Sequence, residues 1–236
     1  FDPGNIRMAL YRPFTKMYLY YDHVFCDRPG LFEKILPEAS AEKENFLIYL
    51  AGIGHSKPFS ALISNIIPCL DLLEKTQCFS YYCYNKDGSN RQENITDWAW
   101  QHFRDNYQDQ SITKWDIFYY VYGLLHHPQY RTDFADNMKR DLPRIPLAPD
   151  FNAFATAGLK LADLHLKYEQ LPGYALKEDW ASLLDYTVKD KMRLSKDKTA
   201  LIVNPSLTLQ GIPPETFEYR LGNRSALDWV IDQYRI

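Results

Sequence analysis

The chain has 236 residues, 46% hydrophobic and 24% charged, with a formal net charge of −3; these are ordinary values for a globular chain with core enough for independent stability. Residues 1–90 hold 9 Lys/Arg against 10 Asp/Glu and the remainder holds 18 against 20, so no global basic footprint announces nucleic acid, and a DNA contact would need a local patch. No apolar run approaches the ~20 residues of a membrane span and no signal peptide is legible, so a cytoplasmic setting is expected.

Residues 8–22 alternate loosely and are rich in strand formers at Tyr18, Leu19, Tyr20 and Tyr21, with a bend at Arg12-Pro13-Phe14. A turn is expected over residues 27–30, a short helix over 31–36 and a polar surface loop over 37–45. Residues 46–50 read as a buried strand, 51–59 as a glycine-bearing loop, and 60–73 as an apolar run of undecided type. Residues 78–84, almost wholly aromatic and cysteine, read as a strand. The polar break at 86–91, with Asp87-Gly88, marks the expected boundary between a β-rich part (1–90) and the rest (91–236). Cys26, Cys69, Cys78 and Cys83 lack CxxC spacing and are expected as buried free thiols.

The clearest punctuation lies in residues 111–169. Thr113 followed by Asp116 reads as a helix cap, after which Trp115, Phe118, Tyr119, Tyr122 and Leu125 share one helical face. Pro128 stops that helix and can open a second, with Tyr130, Phe134, Met138 and Leu142 at every fourth position. Pro143, Pro146 and Pro149 force an extended passage. Asp150 then caps a third helix, whose stripe is Phe154, Gly158, Leu161 and His165. Trp115, Phe118, Tyr122, Phe134 and Leu161 are assigned to the core. Beyond Leu171-Pro172-Gly173, short strands are expected around Met192 and Leu194, over 200–203, 207–209 and 217–220, and a closing helix over 225–234 capped by Ser225. Strands, then helices, then strands predict an α+β fold: a mostly β N-terminal part, a central helical block, and C-terminal strands with a closing helix.

Chemistry-bearing motifs are sparse. Residues 46–54 resemble a strand running into a Gly-x-Gly turn at Gly52 and Gly54, of the kind that lets backbone amides approach a nucleotide or adenosylmethionine. The third glycine and the downstream acid of the full fingerprint are missing. Asn204-Pro205-Ser206-Leu207 has the outline of the Asn-Pro-Pro-aromatic motif by which amino-methyltransferases hold a flipped adenine, but lacks the second proline and the ring; a strand-connecting turn is expected. His126, His127 and His165 have no Cys or acid at matching metal-ligand spacing, and His165 is expected to be a core histidine.

Five motifs carry a family resemblance: YRPF at 11–14, SITKWDIFYYVYGLLHHPQYR at 111–131, DLPRIP at 141–146, GLKLADLH at 158–165 and NRSALDW at 223–229. In this order they resemble the C-terminal specificity domain of type ISP restriction–modification enzymes. In these single-chain proteins a nuclease, a helicase-like ATPase and an adenine N6-methyltransferase precede the target-recognition domain. The resemblance implies that the chain is a piece of a larger enzyme. It further implies that the piece recognises a sequence in double-stranded DNA. It implies no catalytic residue and no cofactor in this chain, with S-adenosylmethionine, ATP and Mg2+ expected in the upstream domains. Two other readings stay open: a self-contained methyltransferase using Gly52, Gly54 and residues 204–207, and a protein-interaction domain.

For the DNA contact, the loops of the N-terminal part supply the donors. His55, Ser56 and Lys57 join backbone flexibility to a cation and two hydrogen-bonding side chains, and Lys75, Gln77, Lys86 and Arg91 add groups used against phosphates and base edges. Lys16 is a further candidate.

Overall fold

The computed structural model describes residues 1–22, 24–26, 30–188 and 190–234. Its N-terminal part is built of short strands: β1 (Ile6–Arg12), β2 (Thr15–Tyr20), β3 (Leu47–Leu50), β4 (Ala61–Ser64), β5 (Ile67–Pro68), β6 (Gln77–Ser80), β7 (Tyr82–Cys83) and β8 (Gln92–Glu93). The helices α1 (Asp97–Tyr107), α2 (Lys114–His126), α3 (Pro128–Asp133), α4 (Ala135–Arg140) and α5 (Phe151–Lys167) follow. Strands return as β9 (Lys177–Trp180), β10 (Arg193–Leu194), β11 (Ala200–Ile202), β12 (Leu207–Gln210) and the hairpin β13 (Arg220–Leu221) with β14 (Arg224–Ser225), and α6 (Ala226–Gln233) closes the chain. The fold is α+β, in the expected order of parts. The turn expected over 27–30 lies outside the described residues, apart from Gly30.

β3 explains why a continuous apolar run was needed there. It lies in the middle of the antiparallel sheet β4-β3-β6, and all four of its side chains are buried. Ile48 and Leu50, with Ala61 and Ile63 of β4, face the helices and meet Phe118, Tyr122 and Leu125. Leu47 and Tyr49, with Leu62, point the other way into a second core with Leu10, Ile67 and Leu221. Successive residues of a strand face opposite sides, so a sheet covered on both faces has no polar phase. Both cores cross the expected boundary near residue 90, joining the sheet to the helical block on one side and to the C-terminal hairpin on the other. A third core, with Met192, Leu201, Leu207 and Ile231, lies under the sheet β10-β11-β12-β9.

The helical block begins where the sequence signals it. Thr113 and Asp116 form a reciprocal capping box, and the Asp150 carboxylate accepts from the Ala153 amide. α2 and α5 cross at two glycines. A Cβ on Gly158 would lie 1.8 Å from the Tyr119 carbonyl oxygen, and one on Gly123 2.4 Å from that of Phe154. Tyr122 then ties both helices to β4: its hydroxyl accepts from the Ile63 amide at 3.1 Å and donates to His165 Nδ1 at 2.5 Å.

Several expectations need correction. The second helix divides at Phe134, where the backbone leaves helical geometry between α3 and α4, and Phe134 is 43% exposed rather than a core residue. Trp115 and Leu161 are half-buried at the core margin, while Phe118 and Tyr122 are buried. α1, capped by Thr96, and β9 are elements to which the sequence reading assigns nothing. Of the strand expected over 217–220 only Arg220 lies in one, at the start of β13, and Phe217 ends a 3-10 turn over Pro214–Phe217. The cysteines are free, but half-buried rather than buried.

Candidate nucleic-acid interface

Leu50 ends β3 opposite Ala61 and Gln77, so the loop 51–60 and the turn before β6 emerge side by side at one end of the sheet. Gly52 is required by a close approach, since a Cβ there would lie 1.8 Å from the Lys75 carbonyl oxygen. The Gly-x-Gly turn is therefore filled by the chain's own backbone. Gly54, at a φ of +76°, donates its amide to the Lys139 carbonyl at 2.7 Å, and its own carbonyl accepts from Lys75 Nζ at 2.8 Å. The Glu74 carboxylate accepts from the Ser56 amide at 3.0 Å, the Ser56 hydroxyl at 2.8 Å and the Lys57 amide at 3.1 Å. These bonds, led by the Ser56 hydroxyl, hold the Glu74 carboxyl down at about 2. The loop is thus braced from inside.

That bracing sorts the candidate residues by what each can still offer. Ser56 and Lys75 are engaged with Glu74 and Gly54. Lys57 is exposed; its ammonium makes no hydrogen bond or close ion pair among the described residues, although it lies within electrostatic reach of Glu74. Gln77 is exposed beside it at the sheet end. His55 is 4% exposed, and neither ring nitrogen has a hydrogen-bond partner. Burial pushes its pKa below the usual histidine range, so it is neutral at pH 7.

The other candidates lie elsewhere. Ser80, at the far end of β6, pairs with Leu47, and the chain leading from it to Lys86 and Arg91 starts at the opposite end of the sheet, roughly 10 Å away at ~3.4 Å per residue. Arg91 there pairs with Glu44 and covers the Tyr82 ring at 4.6 Å. Lys16 Nζ bonds Glu169 at 2.6 Å, beyond the end of α5. The eight candidates therefore occupy three places. His55, Ser56, Lys57, Lys75 and Gln77 share the end of the sheet at Leu50.

Beside the braced loop opens a cleft of about 740 Å³ between residues 55–59, α3, α4 and the β13–β14 hairpin. The Gly222 amide of the hairpin donates to the Ser60 hydroxyl at 2.6 Å, which fixes one wall. Arg131, Lys139, Arg220 and Tyr219 line it, and sequence reading singled out none of them. In the polar run after Pro128, Gln129, Thr132 and Asp133 are exposed, and Arg131 is turned to the cleft by the bond from its Nε to the Leu125 carbonyl.

The alternative chemistries are occupied by structure. Asn204 is 7% exposed: its side-chain oxygen accepts from the Ser206 and Leu207 amides, and its nitrogen donates to the Asp185 and Thr187 carbonyls. It is a turn-forming residue. His126 Nδ1 donates to the Tyr122 carbonyl at 2.9 Å, and His165 accepts from the Tyr122 hydroxyl. Burial pulls His126 down to about 3 and His165 to about 4, which keeps both neutral. Among the described residues no three side chains of metal-ligating type converge, and no helix is long and apolar enough to cross a membrane.

Fold and loops together define a module that presents polar groups from one braced end of a doubly covered sheet. The chain belongs to the Type ISP C-terminal specificity domain family, which matches residues 1–236. Among solved structures, a cryoEM DrdV–DNA complex matches with a TM-score of 0.90 and 38% identity, over 98% of this chain and 24% of that one. A nuclease-deletion mutant of the Type ISP restriction–modification enzyme LlaGI, in complex with a DNA substrate mimic, matches with a TM-score of 0.84 and 33% identity over 100% and 21%. The ATP-dependent Type ISP restriction–modification enzyme LlaBIII bound to DNA gives 0.88 and 29% over 100% and 16%. The chain thus spans a quarter or less of the length of these relatives. No curated protein matches it.

Proposed function

We propose that this chain reads a DNA target sequence for a single-chain restriction–modification enzyme, steering adenine N6-methylation and ATP-dependent cleavage performed by other domains. The observation that carries this reading is the match, over 98% of the chain, to part of a DrdV–DNA complex, together with the family assignment. S-adenosylmethionine, ATP and Mg2+ would be held by those other domains, in the cytoplasm. Residues 1–90 and 91–236 would act as one unit, since two cores run across their boundary.

The groups best placed to meet a duplex are Lys57 and Gln77. An exposed ammonium suits a phosphate, and an amide suits the edge of adenine. Ser56 and Lys75 would hold the loop in shape, with His55 behind it. Lys86, Arg91 and Lys16 would touch DNA only where it passes the other faces. A chain of net charge −3 supplies little general phosphate affinity, so neighbouring domains would share that task.

A gel shift of the whole enzyme against a randomised duplex pool, with and without this domain, tests the reading. Enrichment of one sequence only when the domain is present supports it, and the same enrichment without the domain refutes it. Within that enzyme, Lys57→Ala should weaken all duplexes alike and lower the salt slope by about one unit. Gln77→Ala should cost ~1–3 kcal/mol for the cognate site alone. Wild-type behaviour of both variants would place the contact elsewhere.

A further inference from the structure

The cleft beside residues 55–59 holds a group of polar atoms that the fold does not use. Among the described residues, the buried side-chain atoms without a hydrogen-bond partner include both ring nitrogens of His55, Nε2 of His126, Nη2 of Arg131 and the hydroxyl of Tyr219, and all four residues line this cleft; His126, whose Nδ1 donates to the Tyr122 carbonyl, presents Nε2 as an acceptor. Buried donors are nearly always satisfied, and a charged one left unpaired is costly. His55 is 96% buried by its 4% exposure, which makes it a polar side chain set into the wall with nothing to bond.

Arg131 is the centre of the group. Its Nε donates to the Leu125 carbonyl at 2.6 Å, so the guanidinium is held at the end of α2, over the Phe59 ring at 5.8 Å. It has no carboxylate partner among the described residues. Burial accordingly lowers its pKa, while only the Tyr219 and Tyr122 hydroxyls favour its charge. Around the cleft Lys57, Lys139 and Arg220 add cations, although Lys139 pairs with Asp136 at 3.1 Å and the Glu74 carboxylate lies within electrostatic reach of Lys57; Glu218 is the one carboxylate on the cleft wall itself among the described residues. A chain that is acidic overall is therefore basic here.

We infer that this cleft seats a phosphate group, with Arg131 as its charged fork and His55 and Tyr219 as neutral donors beside it. A planar guanidinium matches two phosphate oxygens at once, and an anion supplies the missing acceptor to Arg131 Nη2, the Tyr219 hydroxyl and the one N–H of neutral His55. The seat adjoins Lys57, so in a duplex-reading domain its occupant is a phosphodiester of the DNA backbone. This rests on the proposed function only for the source of the phosphate. It adds an anchor on α3 that fixes how the duplex sits against the sheet end.

The test measures binding of the chain to a short non-cognate duplex by fluorescence anisotropy across a salt series. In parallel, the melting temperature is followed in inorganic phosphate at constant ionic strength. Arg131→Gln should weaken duplex binding and lower the salt slope by about one unit. Tyr219→Phe keeps the ring stacked on His165 and removes only the hydroxyl. It should lose about fivefold in affinity with the slope unchanged, and it stands in if Arg131→Gln fails to fold. Wild-type affinity and slope in both variants, with no phosphate effect that depends on Arg131, overturns the seat and leaves the DNA reading intact. If the wild-type chain ignores the duplex but inorganic phosphate raises its melting temperature and not that of Arg131→Gln, the seat stands for a free phosphate and the DNA source is refuted. If neither probe binds the wild-type chain, the seat is overturned.

Discussion

Gly158→Ala tests the crossing of α2 and α5, on which the sheet end depends. By helix propensity alone alanine should stabilise α5 by about 1 kcal/mol. The tertiary contact reverses that sign. The new Cβ would lie 1.8 Å from the Tyr119 carbonyl oxygen, 2.7 Å from its carbon and 2.8 Å from the Gly123 amide nitrogen. Reaching an ordinary contact of 3.4 Å requires a separation of roughly 1.6 Å, and every atom in the way is backbone. Overpacking of this kind costs typically ~1–3 kcal/mol and sometimes more. Here it would also stretch the Tyr122–His165 bond that joins both helices to β4. The net expectation is a loss of about 1–3 kcal/mol, or roughly 3–10 °C in melting temperature for a chain of this size. Gly173→Ala is the control, because nothing lies within 4 Å of a Cβ there. Thermal melts and urea unfolding measure both. A Gly158→Ala chain as stable as wild type, or more so, would refute the close crossing.

Other expectations follow from single contacts. Tyr122→Phe strips the acceptor from the buried Ile63 amide and the donor from His165, and should cost ~1–3 kcal/mol in urea unfolding; an unchanged midpoint would mean the hydroxyl bears no weight. His126 and His165, depressed to about 3 and about 4, bind their protons more readily in the unfolded chain. Their contribution is complete above the ordinary histidine pKa of about 6.5 and is lost as pH falls toward those lower values. Between pH 6.5 and 5, above the carboxylate range, each should remove roughly 2 kcal/mol, read as a falling urea midpoint; a flat midpoint there would contradict their burial. Glu74→Gln should speed hydrogen exchange at the Ser56 and Lys57 amides without altering the amides of β3, and unchanged exchange would show that the loop is braced by something else.

Local signals were legible in the sequence wherever a few neighbouring residues decide the outcome. Thr113 with Asp116, Asp150 and Ser225 each cap a helix as expected, because a cap is satisfied within one turn; the structure adds Asp228 as the reciprocal partner of Ser225. The apolar run at 46–50 announced a buried strand, which the structure shows as β3 with both faces covered. Five motifs in order were enough to place the chain in its family. What the sequence could not determine was which polar groups remain available. Ser56 and Lys75 read as free donors until Glu74 and Gly54, brought alongside by the folded loops, are seen to occupy them. Lys86 and Arg91 read as neighbours of that loop until β3 and β6 set them at the other end of the sheet. Arg131 stood in the sequence only as the last residue of a family motif, with nothing to mark it as a group facing a cleft. Its place at the cleft comes from the turn between α2 and α3, where its Nε bonds the Leu125 carbonyl, and from a hairpin some ninety residues later in the chain, a meeting of distant segments that no periodicity records. The sequence determined where helices and strands begin, because those choices are made by adjacent residues. Tertiary structure alone decided which side chains are spent and which are left over, because a hydrogen bond across the fold depends on two positions meeting in space.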